Sequence, residues 1–290
     1  MRPIAEAYKD FPILHKEHNG HRVIYLDSGA TAQIPQSVID RVVEHMTRRK
    51  GTPHRGSHIL AIEASEDYEN ARDRVVEFIN AREREEVIFT RNSTESMNLI
   101  AYSYGLHNVK KGDKIVITVA AHHANLVTWQ YVAEQTGATL EYMYLDEHGH
   151  LKDGEINKID EKTKIVAFAH VSNVLGMEFP VKELTEKAHS VGAIVVLDGA
   201  QSTPHKKIDV QALDCDFFVF SGHKMCGPTG VGALYGKAEQ LAQLPPFLTG
   251  GSMIEIVTMD KSTFAPPPQR FEAGTQMTSQ VVGLAAARVV

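Results

Sequence analysis

Five short runs rich in Val, Ile and Phe constrain the fold of this chain most: Glu86 to Thr90, Lys114 to Val119, Lys164 to His170, Ala193 to Leu197 and Asp216 to Phe220. Each is followed by polar or glycine residues and then by a segment of helical periodicity, which is the βα alternation of an α/β domain. Ile194-Val195-Val196-Leu197 is apolar at every position, so both faces of that strand must be covered, as in parallel strands under helices. The pattern predicts a buried, mostly parallel sheet. Ser65 to Ile79 and Pro180 to Val191 read as covering helices, the second with Val181, Leu184 and Ala188 on its apolar side. Ala265-Pro266-Pro267-Pro268-Gln269-Arg270 reads as an extended loop. Val281 to Val290 has a helical pattern with no glycine cap, proline stop or polar tail, and the expectation is a chain cut inside an element.

Bulk properties narrow the class of function. A chain of 290 residues can bury one large core, alone or with part of a second. No stretch reaches the roughly 18 to 20 apolar residues of a membrane span, and the N-terminus lacks an apolar signal core, so a cytoplasmic protein is expected. The net charge is -6, with 30 basic residues scattered among 36 acids, which argues against a nucleic-acid face. Cys215 and Cys226 are too few and wrongly spaced for a disulfide framework or a Cys-x-x-Cys pair.

In open α/β sheets the binding crevice lies beyond the carboxyl ends of the strands. The residues there are unusually polar: Arg91-Asn92-Ser93-Thr94-Glu95, His122-His123-Ala124-Asn125, Ser172-Asn173, Asp198-Gly199-Ala200-Gln201 and Ser221-Gly222-His223-Lys224. Ser93 and Thr94 stand where a strand gives way to a helix, either as an ordinary cap or as hydroxyl and N–H donors to a phosphate. Asp198 ends an apolar strand, where a carboxylate needs a partner; a protonated pyridine nitrogen would serve, and so would a side-chain-capped turn. Lys224 follows another buried strand, and desolvation there would lower its pKa and ready the amine to form an imine with an aldehyde. Behind it, Gly227-Pro228-Thr229-Gly230-Val231-Gly232 has the composition of tight turns and close backbone approach. The histidines show no metal-binding spacing, so no metal is expected, and a flat imidazole at His122 suits stacking on a cofactor ring better.

These segments stand in order along most of the chain. With them stand Tyr25-Leu26-Asp27-Ser28, His54-Arg55-Gly56, His170-Val171-Ser172-Asn173-Val174-Leu175-Gly176, Leu213-Asp214-Cys215-Asp216, Gly250-Gly251-Ser252-Met253 and Arg270-Phe271-Glu272-Ala273-Gly274-Thr275. On these motifs the chain resembles class V aminotransferase-type enzymes, most closely the SUF-type (group II) cysteine desulfurases and selenocysteine lyases. The resemblance implies an α/β fold of the pyridoxal-phosphate-dependent transferase type (aspartate aminotransferase-like), with a mostly parallel seven-stranded sheet flanked by helices. It implies an N-terminal arm over 1–20 and a cofactor-binding large domain over 21–290, with the family's smaller C-terminal portion missing.

Carried over residue by residue, the resemblance makes Lys224 the Schiff-base lysine, pairs Asp198 with the pyridine nitrogen and puts Gln201 on the phenolic oxygen. It stacks His122 on the ring, gives the phosphate to Ser93, Thr94, Ser221 and His223, and sets Asn173 against the substrate. Thr275 would reach the phosphate of the partner subunit, which implies a homodimer. The implied reaction takes L-cysteine, or L-selenocysteine, to L-alanine and hands sulfur as persulfide to an acceptor protein for iron–sulfur cluster assembly. A chain that binds pyridoxal phosphate without turnover is the second reading. The sequence departs from the family at Ala121, where a Glu is usual, at Gln276, where Pro is usual, and at Cys226 after Lys224-Met225. The family's substrate-gripping Arg and sulfur-accepting loop Cys have no counterpart here. Cys226 is expected to be a buried structural thiol. Apolar surface that the missing portion would cover is expected to make the product associate.

Overall fold

The structure, a computed structural model, describes residues 4–287. Its centre is one seven-stranded sheet. In chain order the strands are β1 (Val87–Thr90), β2 (Lys114–Thr118), β3 (Thr139–Met143), β4 (Thr163–Ala169), β5 (Ile194–Asp198), β6 (Phe217–Ser221) and β7 (Gly232–Gly236). Across the sheet they run β1-β7-β6-β5-β4-β2-β3. β7 pairs antiparallel with β1 and β6, and every other pair is parallel. β7 is therefore the reversed strand, and the rest deliver their carboxyl ends to one edge.

The helices α1 (Gln36–Glu44), α2 (Ile59–Ile79), α3 (Ser93–Ile100), α4 (His123–Thr136), α5 (Val181–Ser190) and α6 (Thr278–Ala287) cover the two faces. The strict apolarity of the central strands follows from that cover. Val195 and Leu197 of β5 join Tyr68, Val75, Leu184 and Leu284 in one core, while Ile194 and Val196 join Met97, Leu99, Trp129 and Val132 in the other. A fully buried side chain of this size contributes about 1.5–3 kcal/mol, so a strand apolar on both faces anchors the sheet twice over.

Several elements differ from expectation for local reasons. α2 starts at Ile59, ahead of Ser65, because the His58 ring caps it by accepting from Ala61 N–H. β3 is an edge strand whose residues, except Met143, are not fully buried, so Glu141 and Tyr142 interrupt the apolar run that marks the interior strands. The turn composition of Gly227 to Gly232 runs straight into β7, whose two end glycines frame only three other residues, so no apolar run marks it. The proline segment leads directly into a 3-10 turn, Gln269–Phe271. α6 begins at Thr278, and the part of the expected helix beyond 287 lies outside the described residues. Among the described residues no helix is long and apolar enough to cross a membrane.

Candidate active site

A cavity of about 600 Å³ opens at the edge where the parallel strands end. Ser93 and Thr94 reach it from the end of β1, His122 from β2, Asn173 from β4, Asp198 and Gln201 from β5, and Ser221, His223 and Lys224 from β6. Thr275 is exposed in the loop before α6 and does not line it.

At one end the strand order brings two serines together. Ser221 Oγ accepts from Ser93 N–H at 2.9 Å and lies 2.8 Å from Ser93 Oγ. β7 lies between β1 and β6, and its Gly232 pairs with Thr90 on one side and Ser221 on the other. A β-carbon at Gly232 would come 2.5 Å from Phe220 O and 2.9 Å from Asn92 Cα, so only glycine lets the serines meet. The helix cap is Asn92, not Ser93 or Thr94: its side chain accepts from Glu95 N–H at 2.9 Å. That frees both hydroxyl residues from capping. Ser93 N–H and Glu95 N–H are thus satisfied, while Thr94 N–H has no partner among the described residues and is left for an anion at the positive end of α3.

At the other end a carboxylate faces two basic groups. Asp198 is 5% exposed, and one of its oxygens accepts from Ala200 N–H at 3.0 Å. The other makes no hydrogen bond among the described residues. Burial raises the Asp198 pKa, opposed by Ala200 N–H, Lys224 and His122. Burial lowers that of Lys224, opposed by Asp198. The Lys224 amine has no hydrogen-bond partner among the described residues. His122 Nδ1 accepts from Ala124 N–H at 3.1 Å, which caps α4 and fixes the ring. Burial, with the positive Lys224 nearby, lowers the His122 pKa, so the neutral ring carries its proton on Nε2.

The remaining wall comes from a segment sequence reasoning did not place in the site. Gln201 Nε2 donates to Gly29 O at 2.8 Å, and Asp27, Gly29 and Ala30 line the cavity. Thr31 Oγ1 lies 3.2 Å from His223 Nδ1, and Ala32 N–H donates to His223 O at 2.8 Å, locking this segment against the turn that carries Lys224. Its sequence signal is weak: a run of small residues, Ser28-Gly29-Ala30-Thr31-Ala32, without periodicity. Cys226 is half-buried rather than buried and has a left-handed φ of 62°, and burial raises its pKa; it does not line the cavity. Among the described residues no cluster of three or more His, Cys, Asp or Glu is placed to hold a metal ion.

Burial also lowers the pKa of His170 and His223 along with that of His122. A histidine that binds its proton less tightly when folded contributes stability above its unfolded pKa of about 6.5, and loses it as pH falls through the folded values. The urea midpoint, followed by circular dichroism, is therefore expected to drop between pH 7.5 and pH 5, above the range where carboxylates titrate. An unchanged midpoint over that interval contradicts the burial of these rings.

Residues 24–288 match the family described as aminotransferase class-V. A probable cysteine desulfurase of Streptomyces coelicolor is 51% identical over 285 residues, covering 96% of this chain and 68% of that protein. A cysteine desulfurase of Haloferax volcanii is 49% identical, with 96% and 68% covered. The structure of a cysteine desulfurase from Thermococcus onnurineus superposes with a TM-score of 0.93 at 40% identity, covering all of this chain and 70% of that one. One from Escherichia coli gives 0.89 at 38%. The strand-end cavity and these matches over nearly the whole chain lead to one assignment: this chain belongs to the class-V aminotransferase family, in its cysteine desulfurase branch.

Proposed function

We propose that this chain is the cofactor-binding part of a pyridoxal-phosphate-dependent cysteine desulfurase, converting L-cysteine to L-alanine and passing the sulfur on as persulfide for iron–sulfur cluster assembly. The observation that carries the reading is Asp198, a buried carboxylate with one oxygen unbonded at the floor of a cavity that Lys224 also lines. An isolated carboxylate is costly in such a place, and a protonated pyridine nitrogen supplies the missing cation. A volume of about 600 Å³ suits a ligand of that size. Ser93, Ser221, His223 and the free Thr94 N–H would hold the phosphate, Gln201 the phenolic oxygen and Lys224 the aldehyde carbon. His122 would lie against the ring. Thr275, exposed and away from this cavity, would serve the phosphate of a second subunit in a homodimer.

Bound pyridoxal phosphate supplies an electron sink for the pair left on the substrate's Cα. The protein moves the protons. Lys224, with its basicity lowered by burial, takes and returns a proton at Cα, and His122 holds one at Nε2. Asn173 would orient the substrate. Burial raises the pKa of both Cys215 and Cys226, so both stay thiols and neither is a ready sulfur nucleophile. The sulfur in this reading passes to a thiol of the acceptor protein. In this reading residues 1–20 are an arm, 21–290 the cofactor domain, and the setting the reducing cytoplasm.

The test is incubation of the full-length protein with pyridoxal phosphate, L-cysteine and a thiol reductant, with L-selenocysteine in parallel. Alanine and sulfide are expected in the cysteine arm. Alanine from L-selenocysteine alone makes the enzyme a selenocysteine lyase; cofactor uptake with no alanine from either substrate leaves a binding protein and overturns the proposal.

A further inference from the structure

Beyond β4 the chain folds into a narrow hairpin. Val171 and Glu178 form an antiparallel bridge, Ser172 N–H donates to Met177 O at 2.9 Å, and Phe179 N–H donates to His170 O at 3.1 Å. At the tip, Ser172 Oγ accepts from Val174 and Leu175 N–H at 3.3 and 3.2 Å. Asn173 projects from that tip to the cavity, and its side chain makes no hydrogen bond among the described residues. Its position is therefore set by the hairpin and by whatever holds the hairpin's base.

The base is held by a polar chain outside the cavity. The His170 side chain is 5% exposed and its Nε2 lies 3.2 Å from Glu178 Oε1, while Nδ1 is buried without a partner among the described residues. Glu178 is thus the ring's one hydrogen-bond partner among those residues. The backbone N–H of His170 donates to Asp198 O at 2.8 Å, fastening the same residue to the end of β5. The second Glu178 oxygen forms an ion pair with Lys206, on the turn that follows Gln201. Glu178 and Lys206 side chains are 49% and 36% exposed, and ion pairs at that exposure add little to global stability. What they restrain is local: two segments of the cavity wall and the hairpin between them.

We infer that His170, acting through Glu178, is a positioning residue that sets Asn173 against the substrate, with Lys206 fixing the far side of the link. The inference rests on the functional reading above and deepens it. Glu178→Ala would leave both ring nitrogens of a buried histidine unpartnered and release the hairpin's return strand.

The test uses the holoenzyme and steady-state alanine formation. Glu178→Ala is expected to raise KM for L-cysteine about tenfold with kcat within about twofold, since misplacing an orienting group weakens productive binding. The bound cofactor's visible band should be unchanged and the thermal midpoint should fall by no more than about 5 °C, the cost of one unpartnered buried ring. Glu178→Gln, whose amide oxygen still accepts from His170, should return KM to within about threefold of the parent. In an Asn173→Ala background, Glu178→Ala should add less than about twofold, because the two act through one contact. An unchanged KM in Glu178→Ala, or effects that simply multiply in the double variant, overturns the inference while the parent's alanine formation upholds the functional reading. A parent enzyme that binds cofactor but forms no alanine sinks that reading, and this inference with it.

Discussion

Lys224→Ala is expected to abolish the visible absorption band that pyridoxal phosphate gains on attachment and to cut alanine formation by about 10³-fold or more, because under the proposed function one side chain would both attach the cofactor and move the Cα proton. The contrast with Lys224→Arg separates this from a simpler role. Lys224 attracts the Asp198 carboxylate, and its charge steadies Asp198 in the ionised form. If that were its whole contribution, arginine would replace it with little loss, since guanidinium stays charged. A chemical role makes arginine as inactive as alanine, because it offers no neutral amine near pH 7. Spectra of both variants with added cofactor, read beside their rates, decide the matter: an intact band in either one overturns the assignment of Lys224.

The site was legible in sequence to the degree that parallel strands deliver their next residues to one edge. Asp198 and Lys224 could be singled out because a charged residue directly after a strand such as Ile194-Val195-Val196-Leu197 has nowhere polar to go except the crevice. The pairing of Ser93 with Ser221 could not be seen, because it depends on β7 running between β1 and β6, and β7 is disguised by its own glycines. Gly232 reads as a close backbone approach without its partners being visible; they are the Phe220 carbonyl and Asn92. The choice of Asn92 over Ser93 as the α3 cap was equally hidden, since either residue type suits that position and only the backbone of residue 92, with φ -177° and ψ 175°, decides. The wall at Asp27 to Ala32 joins the site by long-range hydrogen bonds to Gln201 and His223, and no local pattern encodes those.

A second large effect is expected away from the cavity, in stability. Arg72 on α2 is 0% exposed in its side chain and Glu272 is 6% exposed; they form a two-pronged pair, Nη1 to Oε1 at 2.8 Å and Nη2 to Oε2 at 2.9 Å. Phe89 N–H of β1 and the Tyr68 hydroxyl also donate to the Glu272 carboxylate, at 2.7 and 2.9 Å, and Arg72 Nη1 donates to Val87 O at 2.7 Å. The group therefore ties α2 and β1 to the loop that runs on to Thr275. Burial opposes the Arg72 charge, but attraction to Glu272 outweighs it and raises the pKa, so Arg72 keeps its charge. Breaking such a pair from one side strands a buried charge, and Arg72→Met should cost about 3–5 kcal/mol in urea unfolding. Glu272→Gln should cost less, since Arg72 keeps Glu69 at 3.0 Å and the Val87 carbonyl. The double variant Arg72→Met/Glu272→Gln removes both charges while the Gln oxygen can still accept from Phe89 N–H, and it should recover much of the single-variant loss, because the desolvation of two ions disappears with them. If Arg72→Met unfolds within about 1 kcal/mol of the parent, the pair is not buried as described, and the loop bearing Thr275 is held by its apolar contacts alone.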